Sequence, residues 1–293
     1  MNRRTTIRER LWTYFVALLA LSFFLLPIVW MVTTSFKQQA DVQTIPPKLL
    51  FSPTLDNYTS IFAQRQTDLA QLEAKGFLAY RDFLPSYGNS LFVGILATGL
   101  AVILGALAAY AFARLQFHGR RLLMLYILLT RMLPPLGLLI PTFLIYSKLN
   151  LLDNQLSLAA LYLSFNISVV VWMMQGFIAD IPVDLEDSAM VDGASRFGAM
   201  LRVTLPLVAP GLAATATLCL LLNWNEFLFA LMLTGQHAKT APVGAAEFSQ
   251  SFKQVLWGSL SAAGVLITLP VILFALLTQR HLVRGLTAGA VNQ

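Results

Sequence analysis

Carboxylates at Asp184, Glu186, Asp187 and Asp192, followed by Arg196 and Arg202, crowd one stretch of a chain that is otherwise 57% hydrophobic and 12% charged. Acids this close together can transfer protons or hold a metal when histidine, cysteine or a second acid faces them at ligand spacing. The acids are accompanied by no histidine and no metal-ligand spacing, because His118, His237 and His281 are far apart and Cys219 stands alone in an apolar run. No G-x-x-x-x-G-K-[ST] loop occurs that could cradle ATP phosphates. The pattern therefore predicts no catalytic residue, no metal site and no cofactor in this chain. The charged stretch instead reads as two short helices around a hinge. Asp184 is placed to cap the first helix, with Asp187 three residues on. Gly193 can take the left-handed conformation that ends it, and Ser195 can cap a second helix running to Pro206. Leu185, Ser188, Ala189, Met190 and Phe197 add a small apolar surface. On these features alone the stretch is either an ordinary solvated loop or a docking surface.

A second group of polar residues is set inside apolar runs: Asn166, Arg131, and Asn223, Asn225 and Glu226 in "NWNEF". An unpaired Glu226 at mid-bilayer would cost about 2.5–3.5 kcal/mol, so it must face protein or water. It either holds spans together by hydrogen bonds or, with Asn223, Phe227 and Asn166, contacts a solute. At helical spacing Asn223 shares a face with Glu226 and Phe227, whereas Asn225 points away into a helix contact. Arg131 precedes two prolines that must kink or break its helix, which suits a structural or gating group better than a solute ligand.

The elements that carry these groups are membrane helices. Mean hydropathy is +0.69, and a soluble domain would carry about twice this share of charge. Six apolar runs are long enough to cross about 30 Å of hydrocarbon: Leu11–Met31, Ser90–Phe112, Leu122–Tyr146, Leu156–Ile178, Leu207–Leu233 and Leu260–Leu277. Residues 1–293 are expected to form a single transmembrane domain, all-α because strand edges are unsatisfied in lipid. The first run is too long for a signal peptide and lacks a small-x-small site, so it reads as an uncleaved anchor. The net charge of +6 does not indicate nucleic acid. Its bases flank the spans: Arg3, Arg4, Arg8 and Arg10, then Arg114, Arg120 and Arg121, then Arg280 and Arg284. The positive-inside rule puts both termini in the cytoplasm. The loop 36–89 is then external and the charged loop 179–206 cytoplasmic.

That charged loop resembles the EAA loop of ABC importer permeases, whose pattern is E-A-A, three residues, G, nine residues, I-x-L-P. Asp187-Ser188-Ala189 occupies the first positions, Gly193 the glycine, and Val203-Thr204-Leu205-Pro206 the last, with three conservative replacements and the spacing intact. "AAYAFARLQFHGRR", "NWNEFLFALMLT", "GLTAGAVNQ" and "PPKLLFSPTLDNYTSIF" resemble the maltose-type, carbohydrate-uptake branch. Within it the chain is similar to the second permease subunit.

The resemblance implies a type I importer permease fold in a bacterial plasma membrane. It also implies a heterodimer with a second permease, two ATPase subunits that bind ATP and magnesium, and an external solute-binding protein. The residues it assigns to ATPase coupling are Glu186, Asp187, Ser188, Ala189, Asp192, Gly193, Ala194, Arg196, Leu205 and Pro206, with Asp187 and Arg196 as polar contacts. The expected function is ATP-driven uptake of a sugar or sugar-like solute by alternating access. A non-sugar solute is the first alternative. A secondary transporter would show two related halves, which are not seen. A membrane enzyme would show paired carboxylates or histidines, and the acids of the charged loop are the only cluster, with no histidine or metal-ligand spacing beside them.

Overall fold

The structure is a computed structural model that describes residues 7–62, 83–249 and 255–288, with side chains described to residue 276. Arg3 and Arg4, residues 63–82 of the expected external loop, Lys253 and the end of the C-terminal tail lie outside the described residues. The chain divides into two compact units. Met1–Phe83 with Ala245–Thr268 form one, and Leu84–Gly244 with Leu269–Gln293 the other.

The described elements are α-helical throughout, with one π turn. They are α1 (Ile7–Ser35), α2 (Gln39–Val42), α3 (Asp56–Phe62), α4 (Phe83–Arg114), α5 (Arg120–Met132), α6 (Pro135–Lys148) and α7 (Gln155–Ala179). There follow α8 (Val183–Val191), α9 (Arg196–Ala199), the π turn Met200–Thr204, α10 (Leu205–Leu207), α11 (Ala209–Trp224), α12 (Leu228–Leu233), α13 (Ala241–Glu247) and α14 (Trp257–Ala288). By length and composition α1, α4, α7 and Trp257–Leu276 of α14 can each cross a membrane. Two bent pairs pass the same test together, α5 with α6 at 94° and Arg196–Leu207 with α11 at 76°, so up to six spans are present.

Two expected spans are not single rods. The run 122–146 breaks between α5 and α6, where Leu133 and Pro134 are both extended, with ψ of 129° and 128°. Consecutive prolines remove two donors and push each preceding residue out of the helical region, so a kink becomes a corner. The run 207–233 is also divided. It enters through a bend at Val208 and breaks again at Asn225–Phe227.

In the second unit α7 is the central post, with Val170, Met174 and Ile178 fully buried. On α4, Ala97, Ala101, Gly105 and Ala109 recur every fourth residue, and the three alanines are fully buried. Small residues at that spacing let helices approach closely without any hydrophobic drive in lipid. A Cβ on Gly105 would fall 2.6 Å from the Val170 side chain, and one on Gly211 of α11 would fall 2.6–2.9 Å from the Phe177 ring. Cys219 is buried in the same core.

In the first unit Asn57 of α3 is buried and donates to the carbonyls of Ser35 (2.9 Å) and Lys37 (2.8 Å). It therefore pins the chain where it leaves α1. Gln39 adds a bond to the Val255 carbonyl at 2.8 Å.

Candidate functional site

The charged loop folds as two capped helices, although the first begins two residues earlier than expected. Pro182, with ψ 131°, is the N-cap of α8 and offers no side-chain cap; Asp184 sits inside the first turn. There its charge, like that of Glu186, complements the helix dipole instead of capping it. The C-terminus closes as a Schellman motif: Gly193 N–H donates to Met190 and Ala194 N–H to Ala189, at 3.1 and 3.0 Å. Gly193 has φ +92°, and a Cβ there would meet nothing within 4 Å. Conformation, not space, therefore calls for glycine. Ser195 accepts from the Gly198 N–H at 3.1 Å and caps α9 as expected. The π turn follows, with Leu205 N–H reaching back to Met200.

Asp187, Ser188, Asp192, Gly193, Arg196 and Pro206 are exposed, while Ala189, Ala194 and Leu205 are half-buried. Val191 and Phe197 stand out at 87% and 60% exposure. Glu186 differs from its neighbours. It is 3% exposed and points inward. Its carboxylate accepts from Arg114 Nε at 2.7 Å, Tyr110 Oη at 2.8 Å and Thr204 Oγ1 at 2.8 Å. Arg114 also donates to the Ile181 carbonyl at 2.8 Å. Expected among the surface residues, Glu186 is instead the tie between the loop and the end of α4. Burial pushes its pKa up, but the guanidinium and the two hydroxyls outweigh burial and hold it below the ordinary carboxylate range.

The polar residues of the spans gather at a cavity of about 680 Å³ bordered by α5, α6, α7, α11 and α12. Asn166, Asn223, Asn225, Glu226, Phe227 and Arg131 all line it. The helix that was to carry Asn223 and Glu226 on one face ends at Trp224, so the spacing argument fails although the residues still converge. Asn223 is buried and accepts from Asn166 Nδ2, while donating to Thr98 Oγ1 at 3.0 Å. These bonds join α11 to α7 and α4. Glu226 turns back on α12: its two oxygens accept from the N–H groups of Phe229 (2.9 Å) and Ala230 (3.0 Å), and Tyr162 Oη donates to it at 2.7 Å. Asn225, expected in a helix contact, is exposed and borders the cavity, with its amide on the Leu221 carbonyl at 2.8 Å.

Tyr110, Tyr162 and Thr98 were missed as partners. Their signal was available, since a hydroxyl within an apolar run must find an acceptor or donor. Asp153 was missed too. With φ +53° between α6 and α7, it accepts from the backbone N–H groups of Gly235, Gln236, His237 and Ala238 at 2.8–3.1 Å. Burial works against its charge, but those four amides prevail and lower its pKa. No group of three or more metal-ligating side chains occurs among the described residues.

A polytopic, all-helical membrane protein with a charged, doubly capped loop and a polar cavity between its spans is a transporter subunit by architecture. Residues 101–288 match the family described as binding-protein-dependent transport system inner membrane component, and the chain belongs to that family. The trehalose transport system permease protein SugB of Mycobacterium tuberculosis is 39% identical over 286 residues, covering 96% of this chain and 97% of that protein. The trehalose/maltose transport system permease protein MalG of Thermococcus litoralis is 33% identical, covering 99% of both chains. The fold matches a chain of a bacterial ABC transporter that imports the acidic polysaccharide alginate, with TM-score 0.72, 21% identity, and coverage of 95% and 99%. The chain therefore has the ABC importer permease fold.

Proposed function

We propose that this chain is a permease subunit of an ATP-driven importer for a sugar or sugar-like solute, served by an external binding protein. The observation that carries the reading is the loop 182–208, which is tied by hydrogen bonds on its inner side and exposed on its outer side. Its two caps and the Glu186 tie order it, while Asp187, Arg196, Val191 and Phe197 face away. Relatives named for trehalose, trehalose/maltose and diacetylchitobiose uptake support the sugar class. A related transporter solved in complex with its periplasmic protein supports the external partner.

The ATPase and its magnesium belong to two separate subunits, and a second permease completes the pathway. ATP closes the ATPase pair, draws the two coupling loops together and favours the outward-facing arrangement by the difference in its affinity for the two states. Asp187, Ser188, Ala189, Asp192, Gly193, Ala194, Arg196, Leu205 and Pro206 form the docking segment, and Glu186 connects it to α4. The solute passes along the cavity, where Asn225 and Phe227 meet it and Arg131 stands as a structural or gating group on the wall. Both termini and the loop 182–208 are cytoplasmic in the bacterial inner membrane.

Uptake of labelled trehalose and maltose by the assembled complex tests this reading. Gly193→Val strains the left-handed turn by about 1 kcal/mol or more and misaims α8. Uptake should vanish while the protein stays in the membrane; normal uptake removes the coupling role. In a Cys219→Ala background, an impermeant thiol reagent should reach a cysteine at Gln236 in intact cells and one at Ser195 only after disruption. The reverse pattern inverts the topology.

A further inference from the structure

Lys37 lies just beyond α1 and is 3% exposed. Its ammonium sits 4.7 Å from the centroid of the Trp30 ring and 5.1 Å from that of Phe51. No carboxylate of the described residues pairs with it. Asp41, which borders the same cavity, is held by Lys48 at 2.7 Å. A buried cation is costly without an anion, and two ring faces offset only part of that cost. The cavity measures about 350 Å³, within the range of small-ligand sites. Thr34, Gln43 and Ser261 also line it, and their side chains make no hydrogen bond to the described residues. The walls thus present the Lys37 cation, the Asp41 carboxylate already paired with Lys48, and several uncommitted polar groups.

The depth of the cavity indicates the anion. Trp30, near the end of α1, and Trp257, the first residue of α14, both line it and remain 46% and 49% exposed. Tryptophans at the ends of spanning helices sit at the level of lipid headgroups. Below them Leu25, Leu26 and Val29 of α1 are also exposed.

We propose that Lys37 and this cavity bind the phosphate of a membrane phospholipid, whose acyl chains lie against the exposed apolar surface of α1. Basic pockets between spanning helices capture anionic headgroups on the cytoplasmic side of membranes, and the same chemistry is available here at the outer end of α1. The proposal rests on α1 and α14 spanning the membrane, not on the solute or the ATPase.

The test uses the whole complex, purified in mild detergent, stripped of lipid by detergent exchange and followed by native mass spectrometry. Palmitoyl-oleoyl phosphatidylglycerol, the matching phosphatidylethanolamine and inorganic phosphate are added separately. The unaltered protein should retain one more phospholipid than Lys37→Met, whose affinity at this site should fall about tenfold or more, while Lys37→Arg keeps it. Ser261→Phe fills the cavity and leaves Lys37 in place, and it should lose the same lipid. Equal lipid occupancy in the unaltered protein and Ser261→Phe overturns the proposal, even if Lys37→Met fails to assemble. Displacement of the lipid by inorganic phosphate assigns the site to a free anion and overturns it as well.

Discussion

The two glutamates that the sequence set side by side as candidates are held in opposite ways. Glu186 is an ion pair: it meets Arg114 at 2.7 Å, with the side chains only 4% and 7% exposed. Glu226 is satisfied by a phenol and two backbone amides, and no ion pair to it occurs among the described residues. The first is placed where a loop joins the end of a span, and the second where a span is interrupted. Two closely packed charges give a stiff joint, because separating them leaves a buried charge unanswered. A carboxylate folded onto a helix N-terminus gives a break that is stable but lightly held.

The largest effect should therefore follow Arg114→Met. It leaves Glu186 buried without its cation, which should cost about 3–5 kcal/mol, seen as lost complex yield and a lower melting temperature. Adding Glu186→Gln should restore part of that stability. If the double variant is as unstable as the sum of the two single ones, the joint is not a coupled pair.

Glu226→Gln comes next. An amide keeps one acceptor oxygen of the two, so about 1 kcal/mol of capping should go. Stability, ATPase activity and uptake should fall together. A loss of uptake alone, with melting and ATPase unchanged, would transfer Glu226 from the frame to the solute path.

Asn225→Ala should scarcely change stability, since its side chain is exposed and bonded only within its own helix end. Uptake should drop while ATP hydrolysis continues. Unaltered uptake would remove this wall of the cavity from the pathway.

The most local effect is one of pH at Asp153. Its folded pKa lies below the ordinary 3.8. The carboxylate's contribution is thus fully present above that value and is lost as pH falls through the folded pKa. Hydrogen exchange should show the amides of Gln236, His237 and Ala238 protected near neutrality and freed only in strong acid. Asp153→Asn should expose them at neutral pH. Unchanged protection in that variant would show that the loop is ordered by something else.

Much of the loop could be read from the chain because its signals are local. Gly193 and Ser195 act on donors and acceptors within one turn, so their spacing carries the whole instruction. The break at Asn225–Phe227 had no such herald, since the run from Leu212 to Thr234 contains neither proline nor glycine. It exists because Glu226 turns to cap α12 under the Tyr162 hydroxyl, and Tyr162 comes from a different helix.

By itself, then, the sequence determined six apolar stretches, the corner at Pro134–Pro135, the doubly capped loop and the lack of an ATP-binding loop. Each follows from composition or from residues a few positions apart. Only the tertiary structure decided that Glu186 turns inward to Arg114, that Asn223 is committed to Asn166 and Thr98, and that Asn225 faces the cavity. The reason is physical: within a membrane a polar side chain goes wherever a partner can satisfy it. That partner stands on another helix, 41 to 125 residues away among the buried bonds α11 makes.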